Sequence, residues 1–285
     1  MKPIKIIPKS EKDWLTIKKE TIGSSEATIA CGISQWKSPY ELFLEKTGRK
    51  EPDDVNDSMI LGKLLERPLV EFWAIKTGHR PIKGTFRDIV YKHPVHPFIS
   101  CTPDVFFIHE STGKKWLLEV KNPDNRRVDE PDKSWIIQLT YQMGICGIKK
   151  GALLWSYPQR GVYFLYQEFD FNQELFDSII YAVIEFWTEY VQKDVPPPLS
   201  NASDVLYQYP IEEEGKVIEG SEALSMTYYE MKQLQDIINT NTKILEKHKN
   251  DVKLFMLDAE KVKYCDQIIF SWKTNRAGDR IFRIK

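Results

Sequence analysis

The order of its segments predicts that this chain is an α/β protein, with a central mixed β-sheet flanked by helices and a helical C-terminal extension. Three observations carry that reading. Helical periodicity opens the chain, strand formers punctuated by turn residues fill its middle on either side of one more helix, and Pro196-Pro197-Pro198 closes this part before a second long amphipathic run. The division that follows is a core over 1–195, an irregular linker over 196–220, and an extension over 221–285.

Residues 10–20 read as a helix carrying Trp14 and Ile17, and Ser24 or Ser25 is placed to cap a short helix ending near Gly32. Ser38-Pro39-Tyr40-Glu41 is a helix start, with a capping serine, proline at the first position and an acid in the first turn. Acidic 51–57 reads as a loop before a helix from Met59 to Lys76, bent at Pro68 and ended by Gly78. Strands follow around 80–92 and in a hairpin over 104–121, and then comes the charged loop 123–131 with Arg126 and Arg127. A helix over 132–146, strands at 152–156 and 162–169, and an amphipathic helix over 172–192 complete the core. The extension reads as a helix over 221–259, its stripe of Met231, Leu234, Ile238, Leu245 and Val252 broken by Asn241 and His248, and then a terminal hairpin around Gly278.

Composition bounds little else. The chain has 285 residues, 42% hydrophobic and 28% charged, with a net charge of −1; this is globular and does not announce a nucleic-acid binder. No run approaches the roughly 20 apolar residues of a membrane span, so no membrane partner is expected and a cytoplasmic location follows by default. Cys31, Cys101, Cys146 and Cys265 are scattered without a C-x-x-C pair and read as buried free thiols.

The hairpin holds the chemistry. A turn centred between Ser111 and Thr112 sets Asp104 opposite Glu119, on the same face, with Cβ atoms about 5 Å apart. Lys121 shares that face with Glu119, while Leu118 and Val120 turn away. Glu-x-Lys on a strand is commonly a solvated ion pair contributing less than about 1 kcal/mol. A second carboxylate opposite Glu119 changes the reading, because the two repel unless a cation lies between them. Two acids and an amine converging there form a divalent-metal site of nuclease type.

Gly23-Ser24-Ser25-Glu26-Ala27, Trp36-Lys37-Ser38-Pro39-Tyr40, Gly62-x-x-x-Glu66-x-Pro68, Thr102-Pro103-Asp104, Glu119-Val120-Lys121 and Gln138-x-x-Tyr141-x-Met143 occur in that order. Together they resemble the YqaJ-type viral recombinases, the branch of the PD-(D/E)xK nucleases that includes phage lambda exonuclease. The resemblance covers about residues 18–170, and the Phe270-Ser271-Trp272-Lys273 end is similar to tails of the same type. It implies a restriction-endonuclease-like core and a Mg²⁺-dependent 5′→3′ exonuclease, with Mn²⁺ as a possible substitute. Such an enzyme degrades one strand from a double-stranded DNA end and leaves 3′ single-stranded tails for recombination by strand annealing. It further implies a phage or prophage protein in a bacterial host, a ring-shaped homotrimer and a single-strand annealing partner protein.

Carried over by position, the resemblance makes Glu66, Asp104 and Glu119 the metal carboxylates, with the Val120 carbonyl as a further ligand and Lys121 as the active-site amine. Gln138 joins the catalytic neighbourhood, and Lys18, Ser25 and Thr102 fall where DNA phosphate is held. This sequence departs from the pattern in having lysine at 18 in place of arginine, threonine at 102 in place of serine, valine at 105 in place of glycine, and a longer Asp104–Glu119 spacing. The residues themselves leave other readings open: Ser25 as a plain helix cap, Gln138 as a satisfied buried amide, and Trp36 and Tyr40 as core side chains ahead of DNA-stacking platforms. Competing functions are a PD-(D/E)xK DNA endonuclease and a non-catalytic DNA-binding or assembly protein.

Overall fold

Side-chain caps set most of the helix boundaries in the computed structural model, which describes residues 2–84, 89–123, 129–159 and 161–285, with the side chains of 157–163 left out. After β1 (Ile4–Ile6), the Ser10 hydroxyl accepts the Asp13 amide and opens α1 (Glu11–Lys19). The cap of α2 (Ser24–Ala30) is Gly23, one residue before the expected serines. The Glu26 carboxylate takes the Gly23 amide at 2.8 Å, so an acid inside the first turn does the work assigned to a hydroxyl. Ser38 caps α3 (Pro39–Lys46) through the Glu41 amide, as the Ser-Pro start predicts. Asn56 caps α4 (Asp57–Thr77), which contains Pro68 and ends at Gly78 with φ 76°, a left-handed conformation that favours glycine.

The strands of the first part are β2 (Arg80–Pro81), β3 (Val90–Lys92), β4 (Ser100–Cys101), β5 (Val105–Ile108) and β6 (Lys115–Lys121). Helix α5 (Lys133–Cys146) leads to β7 (Lys150–Gln159) and β8 (Gly161–Asp170), followed by α6 (Gln173–Glu185), which continues as a π-helix over Phe186–Val191. The main sheet has the order β2-β5-β6-β7-β8, with β6 and β7 parallel and the other pairs antiparallel. Parallel neighbours need a long crossover, and α5 supplies it. A small sheet has the order β1-β3-β4; β3 falls within the strands predicted around 80–92, whereas β1 and β4 lie outside the predicted elements.

Val105 pairs with Leu118 and Phe107 with Trp116, so one more step sets Asp104 opposite Glu119, the register expected from the turn. Alternation then gives the hairpin two buried faces. Val105, Phe107, Trp116, Leu118 and Val120 cluster with Leu69, Val70 and Trp73 of α4. Phe106 and Leu117 cluster with Leu139 and Met143 of α5, so Glu119 and Lys121 face α5 as well. That helix lies close on the sheet: a Cβ on Gly151 would stand 2.7 Å from the Met143 sulfur.

The chain divides into two compact units, Met1–Ile211 and Glu212–Lys285. The first extends beyond the predicted core, because the segment expected to be irregular contains α7 (Ala202–Gln208). Asp204 of α7 is fully buried and accepts the Ser38 hydroxyl at 2.5 Å, and the Tyr40 hydroxyl donates to Gln208. A helix anchored by polar side chains leaves no hydrophobic stripe to read. The second unit holds α8 (Glu222–Met256) and the antiparallel sheet β11-β10-β9, made of β9 (Lys261–Tyr264), β10 (Gln267–Thr274) and β11 (Arg280–Ile284). Met231, Leu234, Ile238 and Leu245 of the predicted stripe are exposed. Cys101 and Cys146 are free, with sulfurs 3.8 Å apart, whereas Cys265 is exposed, against the expectation of burial. Among the described residues no helix is long and apolar enough to cross a membrane.

Candidate active site

Asp104, Glu119 and Lys121 meet between the end of the β5–β6 hairpin and α5. The Lys121 ammonium lies 2.7 Å from Glu119 Oε1 and donates to Gln138 Oε1 at 2.7 Å. Gln138 Nε2 donates to the same Glu119 oxygen at 2.6 Å, closing a three-membered network. Asp104 Oδ2 accepts the Val120 amide at 2.8 Å, which ties the peptide after Glu119 to the second acid. Glu66, half-buried on α4, acts electrostatically on both Asp104 and Lys121. The structure therefore gathers Glu66, Asp104, Glu119, Lys121 and Gln138, all expected from the sequence, with Val120 between the two acids.

The electrostatics show what the cluster lacks. Burial first, then the charges of Glu119 and Glu66, push the Asp104 carboxyl well above its usual range; Lys121 and the Val120 amide offset this only in part. For Lys121, burial is the largest influence and favours the neutral amine. Glu119, Asp104 and Glu66 together outweigh it and hold the ammonium above its ordinary pKa. Lys121 is thus a fixed cation and a poor general base. Hard oxygen donors whose mutual repulsion one ammonium does not cancel fit a divalent cation such as Mg²⁺.

Sequence reasoning missed Gln142. It is fully buried, donates to Glu119 Oε2 at 2.8 Å and approaches Ser24 Oγ at 3.1 Å, so it links α2 to the acid. Its Oε1 has no hydrogen-bond partner among the described residues. The signal was present, because Gln142 stands one turn beyond Gln138 on the same helix face.

A pocket of about 170 Å³ opens beside this cluster, lined among others by Lys18, Ser24, Ser25, Thr102 and Gln138. The three residues expected at DNA phosphate thus line one pocket, and Gln138 belongs both to it and to the acid network. Lys46, another unpredicted residue, is buried with its ammonium 2.8 Å from both Glu26 oxygens and 2.7 Å from the Lys18 and Thr21 carbonyls. Burial, only partly offset by Glu26, lowers its pKa. It joins the end of α1 and the start of α2, which form the pocket wall. Tyr40 is core, as read, but Trp36 is 91% exposed and is not. Arg126 and Arg127 lie outside the described residues.

A second polar cluster sits at the turn end of the same hairpin, where ligand atoms of His79, His109 and Glu168 lie within 4.8 Å of one another. His109 Nε2 is 3.0 Å from Glu168 Oε1 and its Nδ1 is 3.2 Å from Ser111 Oγ. His79 Nδ1 accepts the Glu110 amide at 3.0 Å, and its Nε2 lies 3.4 Å from the Tyr166 hydroxyl.

The chain is similar to known proteins in sequence and in fold. The chain is 26% identical over 263 residues to the uncharacterized protein YqaJ of Bacillus subtilis (strain 168), covering 88% of this chain and 80% of that one. Its fold is similar to that of an alkaline exonuclease, LHK-Exo from Laribacter hongkongensis, also solved in complex with dAMP. Both structures give a TM-score of 0.54 at 16% identity over 65% of this chain and 94% of the other. Residues 13–149, which span α1 to α5 and hold the acid cluster and the lysine-18 pocket, match the YqaJ-like viral recombinase domain. The likeness to that family lies in this stretch of the chain.

Proposed function

We propose that the protein is a divalent-metal-dependent DNA exonuclease that digests one strand of a duplex from its 5′ end and leaves 3′ single-stranded tails for annealing. The observation that carries this reading is the sharing of Gln138 between the acid cluster and the Lys18 pocket. A pocket with a cation and hydroxyls suits a terminal phosphate, and its contact with the acids would set the next phosphodiester against them. The domain match and the exonuclease fold of the structural neighbours support the same reading.

In this reading Glu66, Asp104, Glu119 and the Val120 carbonyl hold Mg²⁺, with Mn²⁺ as substitute. The bound metal would offset charge on the phosphoryl oxygens and lower the pKa of water. Lys121, held as an ammonium, orients the attacking water and offsets negative charge; Gln138 and Gln142 fix the rotamer of Glu119. Lys18 is a point charge without the bidentate fork of arginine, so selection for a 5′-phosphate is weaker than an arginine would give. We place the enzyme in the cytoplasm of a bacterial host, as a ring homotrimer handing its product to an annealing protein.

The test is digestion of an end-labelled linear duplex beside a covalently closed circle, with Mg²⁺, Mn²⁺ or chelator. Loss of the 5′-terminal label from the linear substrate, only with metal and with the circle intact, is the expected result. Cleavage of the circle would make the enzyme an endonuclease, and no cleavage of either DNA would leave a binding or assembly protein.

A further inference from the structure

A second pocket of about 170 Å³ is lined by Pro103 and Phe106, which stand on either side of Asp104 in the chain. Its aromatic residues are Tyr91 and Phe106, edge to face at 5.7 Å, and its charged residues are Lys5, Lys83 and Lys115. Among the described residues no acid lines it, and none of these three lysines has a carboxylate partner there. That sets them apart from Lys37, Lys46, Lys50 and Lys121, each of which is in an ion pair. Lys115 lies 3.8 Å from the centre of the Phe106 ring, which favours a cation but does not neutralise it. Burial is the main influence that lowers the Lys115 pKa; Cys146 opposes it and Lys5 adds a smaller push in the same direction as burial.

We propose that Lys5, Lys83 and Lys115 form a phosphate-binding site that holds the backbone of the DNA substrate beside the acid cluster. The site is distinct from the Lys18 pocket, and the inference rests on the nuclease reading for its ligand. Three flexible point charges, one of them above an aromatic ring, match a phosphodiester of any sequence. The same chemistry would take free phosphate or a mononucleotide, and the measurements separate these sources.

Binding of a short fluorescent duplex is followed by anisotropy over a salt series in chelator, so that nothing is cut. The double variant Lys83→Gln/Lys115→Gln is compared with wild type and with the Lys→Arg pair. Each lost phosphate contact lowers the slope of log affinity against log salt by about 0.9. The glutamine pair is expected to lose about 0.9 to 1.8 in slope, and the arginine pair to keep it. With metal present, KM rises and kcat stays. Lys83 is exposed, so Lys83→Gln alone, with a loss of about 0.9, carries the test if the double variant unfolds. A slope equal to wild type overturns the proposal. So does weakened binding of inorganic phosphate or dAMP, read by phosphorus NMR, with duplex binding unaltered. Wild type that binds duplex with the full slope but cuts nothing in Mg²⁺ or Mn²⁺ would sink the nuclease reading and leave this site standing.

Discussion

The two ends of the β5–β6 hairpin carry polar clusters of similar size and opposite character. At the turn, His79 spends its Nδ1 lone pair on the Glu110 amide, so in the neutral ring the proton sits on Nε2 and faces Tyr166. Burial, then the charge of His109, holds His79 below the usual histidine pKa and keeps it neutral. His109 has partners at both ring nitrogens and its ring stacks on Trp116 with centroids 4.2 Å apart. A metal there would have to break a backbone hydrogen bond before gaining a ligand. At the other end burial and the charges of Glu119 and Glu66 push the Asp104 carboxyl above its usual pKa, and a cation would relieve that repulsion. Proximity of ligand-type residues is common to both ends. Unmet electrostatic demand belongs to one.

The sharpest way to break this comparison is Asp104→Asn. Cleavage should fall on the order of a thousandfold or more, while the metal-free protein melts no lower than wild type, since a repelling carboxyl has gone. Activity within tenfold of wild type would remove the acid cluster from the chemistry. Gln142→Leu comes next. Loss of a group that orients a ligand costs about 10- to 100-fold in activity or metal affinity, so metal titration of cleavage should shift to higher concentration. An unchanged titration would make Gln142 mere packing.

The pH dependence of melting tests the same point with a smaller effect. Asp104 has a folded-state pKa above its unfolded value of about 3.9, so its contribution is fully present below that pH and is lost as pH rises through the folded value. The melting temperature of metal-free wild type should therefore fall relative to Asp104→Asn between acid and neutral pH, and Mg²⁺ should close the gap. A difference that does not vary with pH would contradict the raised pKa. Smallest of all is His79→Gln, expected to leave cleavage unaltered and to cost about 1–2 kcal/mol of stability in urea. Zn²⁺ should give no thermal shift that depends on His79; a shift lost in the variant would turn the satisfied cluster into a metal site.

Where a feature depended on local periodicity or turn chemistry, it was legible before the fold. Asp104 opposite Glu119 follows from the centre of one turn, and the helix start at Ser38 follows from a single capping residue. Features set by distant partners were not. Helix α7 is anchored by Asp204 on Ser38, which is 166 residues away. Strand β1 is three residues long and is defined only by its pairing with β3. Gln142 stands one turn beyond Gln138 in the sequence, but its partner is set by the fold, which brings the Glu119 carboxylate beside it.

Lys46 fixes the neighbourhood of the Lys18 pocket through the main chain, gripping the carbonyl of residue 18 and leaving that residue's side chain exposed. Scaffolding and recognition are thereby uncoupled at one position. The charged tip at 18 is an interchangeable fitting: lysine could be swapped for arginine to retune how strictly a phosphorylated terminus is demanded, without any helix having to reseat.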